Sequence, residues 1–417
     1  MSSEHQRLAG FLWSVADLLR GSYKQSEYGR VVLPFTVLRR LECVLEPHKA
    51  AIIEKRDELK ANGFENRERQ LLSFARSQGL SFFNESNLSL EKIVEAETDQ
   101  HVMAKNLRTY IGGFSSTAAD IFENYDFLNQ IARLEKSKLL YLVAGKFAEV
   151  DLNPERVSNH QMGYLFEELI RRFSEISNET AGEHFTPREV INLMVKLLLS
   201  PDKADLLREN KVFTVLDPAC GTGGMLTAAE DFITEHNPDA TVKLFGQEVN
   251  PESYAISRSD MLIKGEQADN IKLGNSFTDD RHASWSFSYL LANPPFGVEW
   301  RQARGEVEAE HENKGYRGRF GAGLPRINDG SLLFLQHMIH HMRPPEKEGA
   351  RVAIVFNGSP LFTGGAGSGE SDIRRWILEN DWLEGIVALP DQLFYNTGIS
   401  TYFWILSNKK DPAHKAG

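Results

Sequence analysis

Cysteine is nearly missing from this sequence: Cys43 and Cys220 are the two thiols in 417 residues. Two thiols cannot build a disulfide framework, and such sparing use suits a reducing cytoplasm. Long apolar runs are lacking too. No unbroken stretch is long enough to span a bilayer, and the polar start from Met1 to Arg7 leads into an amphipathic pattern rather than a secretory leader. A third absence is surplus positive charge. Lys and Arg number 47 against 58 Asp and Glu, a net charge of −11. A protein that grips nucleic acid alone usually carries a basic face, because phosphate neutralisation supplies much of the affinity. Here the average field repels DNA, so either the charge is segregated or another chain does the gripping. No internal repeat of roughly 20–50 residues is present, which excludes a solenoid.

What remains is ordinary in composition, with 41% hydrophobic residues, and long enough for two or three domains. Residues 1–150 read as helical. Leu8, Phe11, Leu12, Val15, Leu18 and Leu19 recur at helical spacing, and further patterns cover 46–62, 66–78, 99–112 and 117–149. Asp151-Leu152-Asn153-Pro154 marks a boundary to a second domain, 151–417. There the texture changes to short apolar runs at 212–216, 243–248, 271–273, 289–292, 351–356, 385–389 and 401–407, most of them separated by helical patterns. That alternation predicts an α/β domain with a mostly parallel sheet behind an all-helical N-terminal domain. Gly364–Gly369 is low in complexity and is expected to be a mobile loop. The stretch 301–326 mixes Arg304, Lys314, Arg317 and Arg319 with Glu306, Glu308, Glu310 and Glu312. It suits a solvated loop and a DNA-contacting loop about equally.

Asn293-Pro294-Pro295-Phe296 follows the apolar run Tyr289–Ala292. This is a strand ending in a rigid polar loop with an aromatic ring behind it. The loop offers an amino group two acceptors, the Asn293 side-chain oxygen and the carbonyl of Asn293 or Pro294. Two consecutive prolines lock φ near −65° and cannot donate, so the carbonyls keep their direction. Phe296 is placed to stack on a planar ring that carries the amino group.

Upstream, the strand 212–216 runs into Asp217-Pro218-Ala219-Cys220-Gly221-Thr222-Gly223-Gly224 and then a helix. Glycines at a strand-to-helix turn let backbone approach a ligand, and the helix start favours its anionic group. The spacing is not Gly-x-Gly-x-x-Gly, so a dinucleotide is not the natural ligand; S-adenosylmethionine, which has a carboxylate, a ribose and an adenine but no phosphate, fits better. Glu248, at the end of the second strand, is placed for two ribose hydroxyls. Asn275, after the third, is placed for the adenine. His184-Phe185-Thr186-Pro187 precedes a helix, and Thr186, Pro187 and Glu189 read as a capping box with Thr186 as N-cap. His337 and His341 have an i, i+4 spacing suited to a metal, but no acidic or Cys partner lies at a metal-site spacing, so no metal is expected. Cys220 reads as a small packing residue.

The glycine turn and the Asn293–Phe296 loop together resemble an S-adenosylmethionine-dependent adenine-N6 DNA methyltransferase, and the order of parts resembles its gamma class. Leu12–Gly21, Ser26-Glu27-Tyr28, Leu38–Leu41, Ile373–Asn380, Leu389-Pro390 and Phe394–Thr401 are similar to the methylation subunits of type I restriction-modification systems. The resemblance implies a prokaryotic cytoplasmic enzyme that flips a target adenine out of double-stranded DNA. Asn293, Pro294, Pro295 and Phe296 would be catalytic. His184, Phe185, Thr186, Pro187, Asp217, Ala219, Gly221, Thr222, Gly223, Gly224, Glu248, Asn275 and Ser276 would hold the cofactor. Phe296 and Phe394, or Tyr395 in its place, would face the base. It also implies a separate specificity subunit that reads the sequence, two methylation subunits per specificity subunit, and a restriction subunit. Two departures stand out. Asn275 occupies a position that is often Asp, and family members commonly continue past the last strand, whereas this sequence ends at Gly417. The alternatives are an RNA or protein-glutamine methyltransferase, or a non-catalytic subunit that binds DNA or a partner.

Overall fold

The computed structural model describes residues 10–11, 14–64, 66–96, 98–176, 186–391, 393–394, 399–410 and 413. The chain forms two compact units, one of 1–179 with 251–269 and one of 180–250 with 270–417. The first unit reaches further than 1–150, because helices 159–176 and 251–264 pack within it.

The first unit is helical, around the helix Gly29–Leu45, which is buried along most of its length. Arg40 on this helix is fully buried. It donates to the carbonyls of Leu152 (2.5 Å) and Val157 (2.8 Å) and to Asn159 Oδ1 (2.8 Å), so it clamps the stretch expected to be the boundary. Burial pushes its guanidinium down to about 10. The pattern at 117–149 proves to be three helices, 116–124, 127–136 and 140–149. The breaks fall at Asp126 and Lys138, both in left-handed backbone (φ 55° and 58°) with no Gly or Pro to mark them. The helix after the second strand is fastened here: Arg258 pairs with Asp120 and Asp269, both at 2.9 Å, and the Tyr254 hydroxyl donates to Asp120 at 2.8 Å.

The second unit is built on seven strands: β1 (Val212–Asp217), β2 (Thr241–Glu248), β3 (Ile271–Leu273), β4 (Tyr289–Ala292), β5 (Arg351–Asn357), β6 (Leu383–Ala388) and β7 (Thr401–Ser407). Their order is β3-β2-β1-β4-β5-β7-β6, and β7 runs antiparallel to both neighbours in an otherwise parallel sheet. Strands covered on both faces must be apolar throughout. The central strand β4 is, and so is β5 between its end residues Arg351 and Asn357, with Leu290, Ile354 and Phe356 in a core that includes Phe245, Phe287 and Trp404. The strand order turns back between β1 and β4, and ligands of such sheets bind outside the carboxyl ends at that switch. Leu216 of β1 pairs with Leu290 of β4, so Asp217 and Asn293 leave the sheet at the same edge.

Two expectations for loops change. Arg304–Lys314 is a helix rather than a loop. The glycine run 364–369 is tied down: its last residue begins the helix Gly369–Glu379, and Arg374 holds the Gly364 carbonyl at 3.0 Å.

Candidate active site

At the end of β1, Asp217 Oδ1 accepts the Ala219 N–H (3.0 Å), and the Cys220 N–H donates to the Gln247 carbonyl on β2 (3.0 Å). Gly221 and Gly223 take left-handed backbone (φ 52° and 89°), and Gly223 is the N-cap of the helix Gly224–His236. A Cβ on Gly221 would meet nothing within 4 Å, which leaves open space over the turn. Cys220 has the packing place expected of it. A Cβ on Gly246 would lie 2.8 Å from its sulfur, so β2 needs glycine where the thiol packs.

Glu248 Oε2 accepts the Gly221 N–H (2.8 Å), while Oε1 accepts those of Val249 (2.9 Å) and Asn250 (2.8 Å). The carboxylate therefore joins the glycine turn to the end of β2. After β3, Asn275 Oδ1 accepts the Phe277 N–H (2.9 Å), and the buried Ser276 hydroxyl donates to the Pro218 carbonyl (2.6 Å). Ser276 thus fastens one turn to the other instead of facing outward.

Burial pushes the Asp217 carboxyl up to about 8, with the nearby Glu248 adding to the rise and the Ala219 N–H opposing it. A raised carboxyl favours the folded state at low pH. Its contribution is whole below the ordinary carboxylate range and is lost as pH climbs towards about 8. Asp217→Asn is expected to gain stability relative to the parent across that interval and to level off above it. Denaturant unfolding at a series of pH values measures this, and a difference independent of pH would refute it.

Asn293 follows β4. Its Nδ2 donates to Thr186 Oγ1 at 2.8 Å, and its Oδ1 is buried with no hydrogen-bond partner among the described residues. Buried acceptors are nearly always satisfied, and an unsatisfied one costs about 1–3 kcal/mol, so this atom points to a missing donor. Pro294 is buried and Pro295 exposed. Phe296 meets the buried Phe394 edge-on, ring centres 5.6 Å apart at 75°. The rings are in contact, so Phe394 supports Phe296 from the side and the two do not form parallel walls.

The Thr186 contact corrects the capping-box reading. Pro187, with extended backbone (ψ 138°), is the N-cap of the helix Arg188–Leu199, which has no side-chain cap. The Thr186 hydroxyl is engaged with Asn293 instead. His184 and Phe185 lie outside the described residues, as does Tyr395. Thr222 and Gly224 sit in the glycine turn, both partly exposed.

Arg319 is the residue that sequence reasoning missed. Buried, it donates to the carbonyls of Ser276 (2.5 Å) and Phe277 (2.9 Å), pairs with Glu310 (2.7 Å) and reaches His337 Nδ1 (3.2 Å). Beside it, Asp280 approaches His341 Nε2 at 3.0 Å, and potential ligand atoms of Asp280, His337 and His341 lie within 4.8 Å of one another. No spacing within the helix reveals Asp280, which arrives from the turn after β3, so the reason given against a metal does not hold. A cation is nevertheless already there. The Arg319 guanidinium touches His337 and would repel a metal ion. Burial opposes the Asp280 charge, yet the His341 hydrogen bond and the surrounding positive charge hold its carboxyl well below the ordinary range.

The chain is 28% identical over 413 residues to the type I restriction enzyme MjaIX methylase subunit of Methanocaldococcus jannaschii, covering 96% of this chain and 69% of that protein. Against other such methylase subunits it spans about half of their length or less. In fold it is similar to the type I restriction-modification methyltransferase subunit from Streptococcus thermophilus, with a TM-score of 0.73 and 23% identity over 98% of this chain and 85% of that one. A protein from Listeria monocytogenes, classed with the S-adenosylmethionine-dependent methyltransferases, matches at a TM-score of 0.51 and 16% identity over 78% of this chain and 88% of that one. The HsdM N-terminal domain matches residues 8–147, and the N-6 DNA methylase domain matches residues 157–416. The chain belongs to the N-6 DNA methylase family.

Proposed function

We propose that this chain is the methylating subunit of a type I restriction-modification enzyme, transferring a methyl group from S-adenosylmethionine to the exocyclic amine of an adenine in double-stranded DNA. The observation that carries the reading is the buried Oδ1 of Asn293, without a hydrogen-bond partner among the described residues, beside a Pro-Pro backbone and an aromatic ring. It works with a specificity subunit that reads the sequence, two copies of this chain to one of that subunit, alongside a restriction subunit in a prokaryotic cytoplasm. The net charge of −11 supports the division of labour, because such a chain gains little from DNA phosphates unaided.

The turns fit the cofactor. Open space over Gly221, a helix start at Gly223, and the carboxyls of Asp217 and Glu248 offer room and donors for an amino-acid end and acceptors for a ribose. Asp217, Ala219, Gly221, Thr222, Gly223, Gly224 and Glu248 would hold it, with Asn275 and Thr186-Pro187 at its edges; Ser276 acts through its bond to Pro218. When bound, the cofactor supplies an electrophilic methyl group on a sulfonium.

Everything else falls to the protein. An adenine amine is a poor nucleophile because its lone pair is delocalised into the ring. Hydrogen bonds to Asn293 Oδ1 and the Pro294 carbonyl draw its nitrogen toward tetrahedral geometry and aim the lone pair. The Thr186 contact fixes the Asn293 amide so that the acceptor oxygen faces the base. Removing adenine from the duplex costs a few kcal/mol, and stacking on Phe296 returns about 1–3 kcal/mol. The catalytic contribution is therefore positioning and preorganised polarity.

Methylation-sensitive long-read sequencing tests the reading without purified partners. Genomic DNA from cells with the intact gene is expected to carry N6-methyladenine in one bipartite sequence, and cells with Asn293→Ala to lack it. Unchanged adenine methylation would remove DNA as the substrate and bring RNA or protein forward.

A further inference from the structure

Past β5 the chain holds a phenylalanine in water. Ala292, the last residue of β4, pairs with Ile354, and β5 continues to Asn357 before turning, so its turn rises beyond the Asn293 loop. This turn carries Phe362, 79% exposed. The loop is rigidly held: the Arg374 guanidinium donates to the carbonyls of Pro360 (3.0 Å), Thr363 (2.7 Å) and Gly364 (3.0 Å), on both sides of Phe362. An aromatic ring on a fixed mount loses little freedom when it docks.

Arginines cluster around it, with Asp329, Glu370 and Asp372 among them, in a chain whose net charge is −11. Arg326 donates to Ser359 Oγ (2.6 Å) in the same turn and pairs with Asp329 (3.5 Å), while its side chain stays 46% exposed. Arg317 is exposed and, among the described residues, makes no ion pair; Arg375 is exposed beside Asp372 (3.0 Å). Tyr316, also exposed, lies 6.1 Å from Trp376 on the helix that bears Arg374. The patch is continuous with the candidate site. Trp300, in the segment that follows Asn293–Phe296, donates its indole N–H to the Arg326 carbonyl (2.9 Å) and its backbone N–H to Ile327 (3.0 Å).

We propose that this surface holds the DNA duplex beside the displaced adenine, with Phe362 pressed against the bases left without a stacking partner and Arg317, Arg326 and Arg375 on the phosphates. The inference rests on the reading that the chain methylates adenine in DNA. Flipping a base out exposes the faces of its neighbours, and an apolar wedge recovers part of the lost stacking. Local arginines supply the phosphate contacts that the average field denies.

The test uses the full chain in complex with its specificity subunit, and a duplex with 2-aminopurine at the target position. Binding of the parent complex is expected to raise the fluorescence, as the base leaves the stack. Phe362→Ala should at least halve that rise and slow single-turnover methylation by about tenfold, the lower part of the range for one stacked base, while Phe362→Trp keeps both. Arg317→Gln and Arg326→Gln should each reduce the slope of log affinity against log salt by about 1. Parental fluorescence and rate in Phe362→Ala would overturn the proposal. So would a Phe362→Ala chain that no longer assembles with the specificity subunit, since the surface would then be a protein interface. A parent complex that puts no methyl on DNA adenine sinks the functional reading, and this inference with it, before any variant is made.

Discussion

Asn293→Ala is expected to lower methyl transfer at least ~10²-fold, the scale at which one preorganised polar group acts in a dry site. Cofactor affinity should stay near the parental value. The separation follows from geometry. Asn293 stands after β4, whereas the turn at 217–224 is held through Gln247 and Glu248 on β2 and through Ser276 after β3. None of those contacts passes through Asn293. The substitution also removes a buried acceptor that has no partner among the described residues, so it should not destabilise the fold through a lost hydrogen bond. It does leave Thr186 without its partner amide. Single-turnover methylation of a duplex, with calorimetric titration of S-adenosylmethionine on the same preparation, separates the two effects. Turnover within tenfold of the parent would remove Asn293 from the chemistry. Weakened cofactor binding at normal stability would show instead that this loop belongs to the cofactor side.

The positions of the strands were legible in the sequence. β1 to β7 fall where the short apolar runs are; for β1, β4, β5 and β7 the reason is that strands buried on both faces must be apolar along most of their length, whereas β6 alternates half-buried and exposed residues. Motifs close in sequence were legible for the same local reason: the turn at Gly221 and Gly223 and the Asn-Pro-Pro loop carry their conformational demands in their residue types. What failed to show were contacts between distant segments. Asp126 and Lys138 break the 117–149 pattern in left-handed backbone that neither residue type advertises. Thr186 looks like a helix cap until its hydroxyl is seen on Asn293, 107 residues away. Asp280 reaches His341 across 61 positions. Arg319 looked like one more charge in a mixed loop, yet it is buried, because Glu310 and two carbonyls after β3 supply what water would have supplied.

Arg319→Ala is expected to cost about 3–5 kcal/mol, the loss seen when one partner of a buried ion pair is removed. For a unit of this size that corresponds to a fall of about 10 °C in melting temperature. Three losses add. Glu310 becomes a buried carboxylate without its countercharge, Ser276 and Phe277 lose the donor to their carbonyls, and His337 loses its neighbour. The pH dependence identifies the cause. Burial raises the Glu310 carboxyl, but the Arg319 side chain and backbone N–H outweigh it and hold the carboxyl below the ordinary range. A lowered carboxyl stabilises the fold above the ordinary carboxylate range and loses that contribution as pH falls through the folded value. In Arg319→Ala the guanidinium is gone and only the backbone N–H and Lys314 still oppose burial, so the deficit should be largest near neutrality and shrink on acidification. Arg319→Ala with Glu310→Gln should recover part of the loss at neutral pH, since no charge is then stranded, whereas Arg319→Lys keeps the charge but not the fork that spans Glu310 and both carbonyls. A deficit that is constant from neutral to acid pH and unrelieved by Glu310→Gln would mean that Arg319 acts through packing on Phe320 rather than through its charge. Because its two carbonyl partners continue the turn that begins at Asn275, the same variant should raise the KM for S-adenosylmethionine more than it lowers kcat, a split that overall loosening of the fold would not produce.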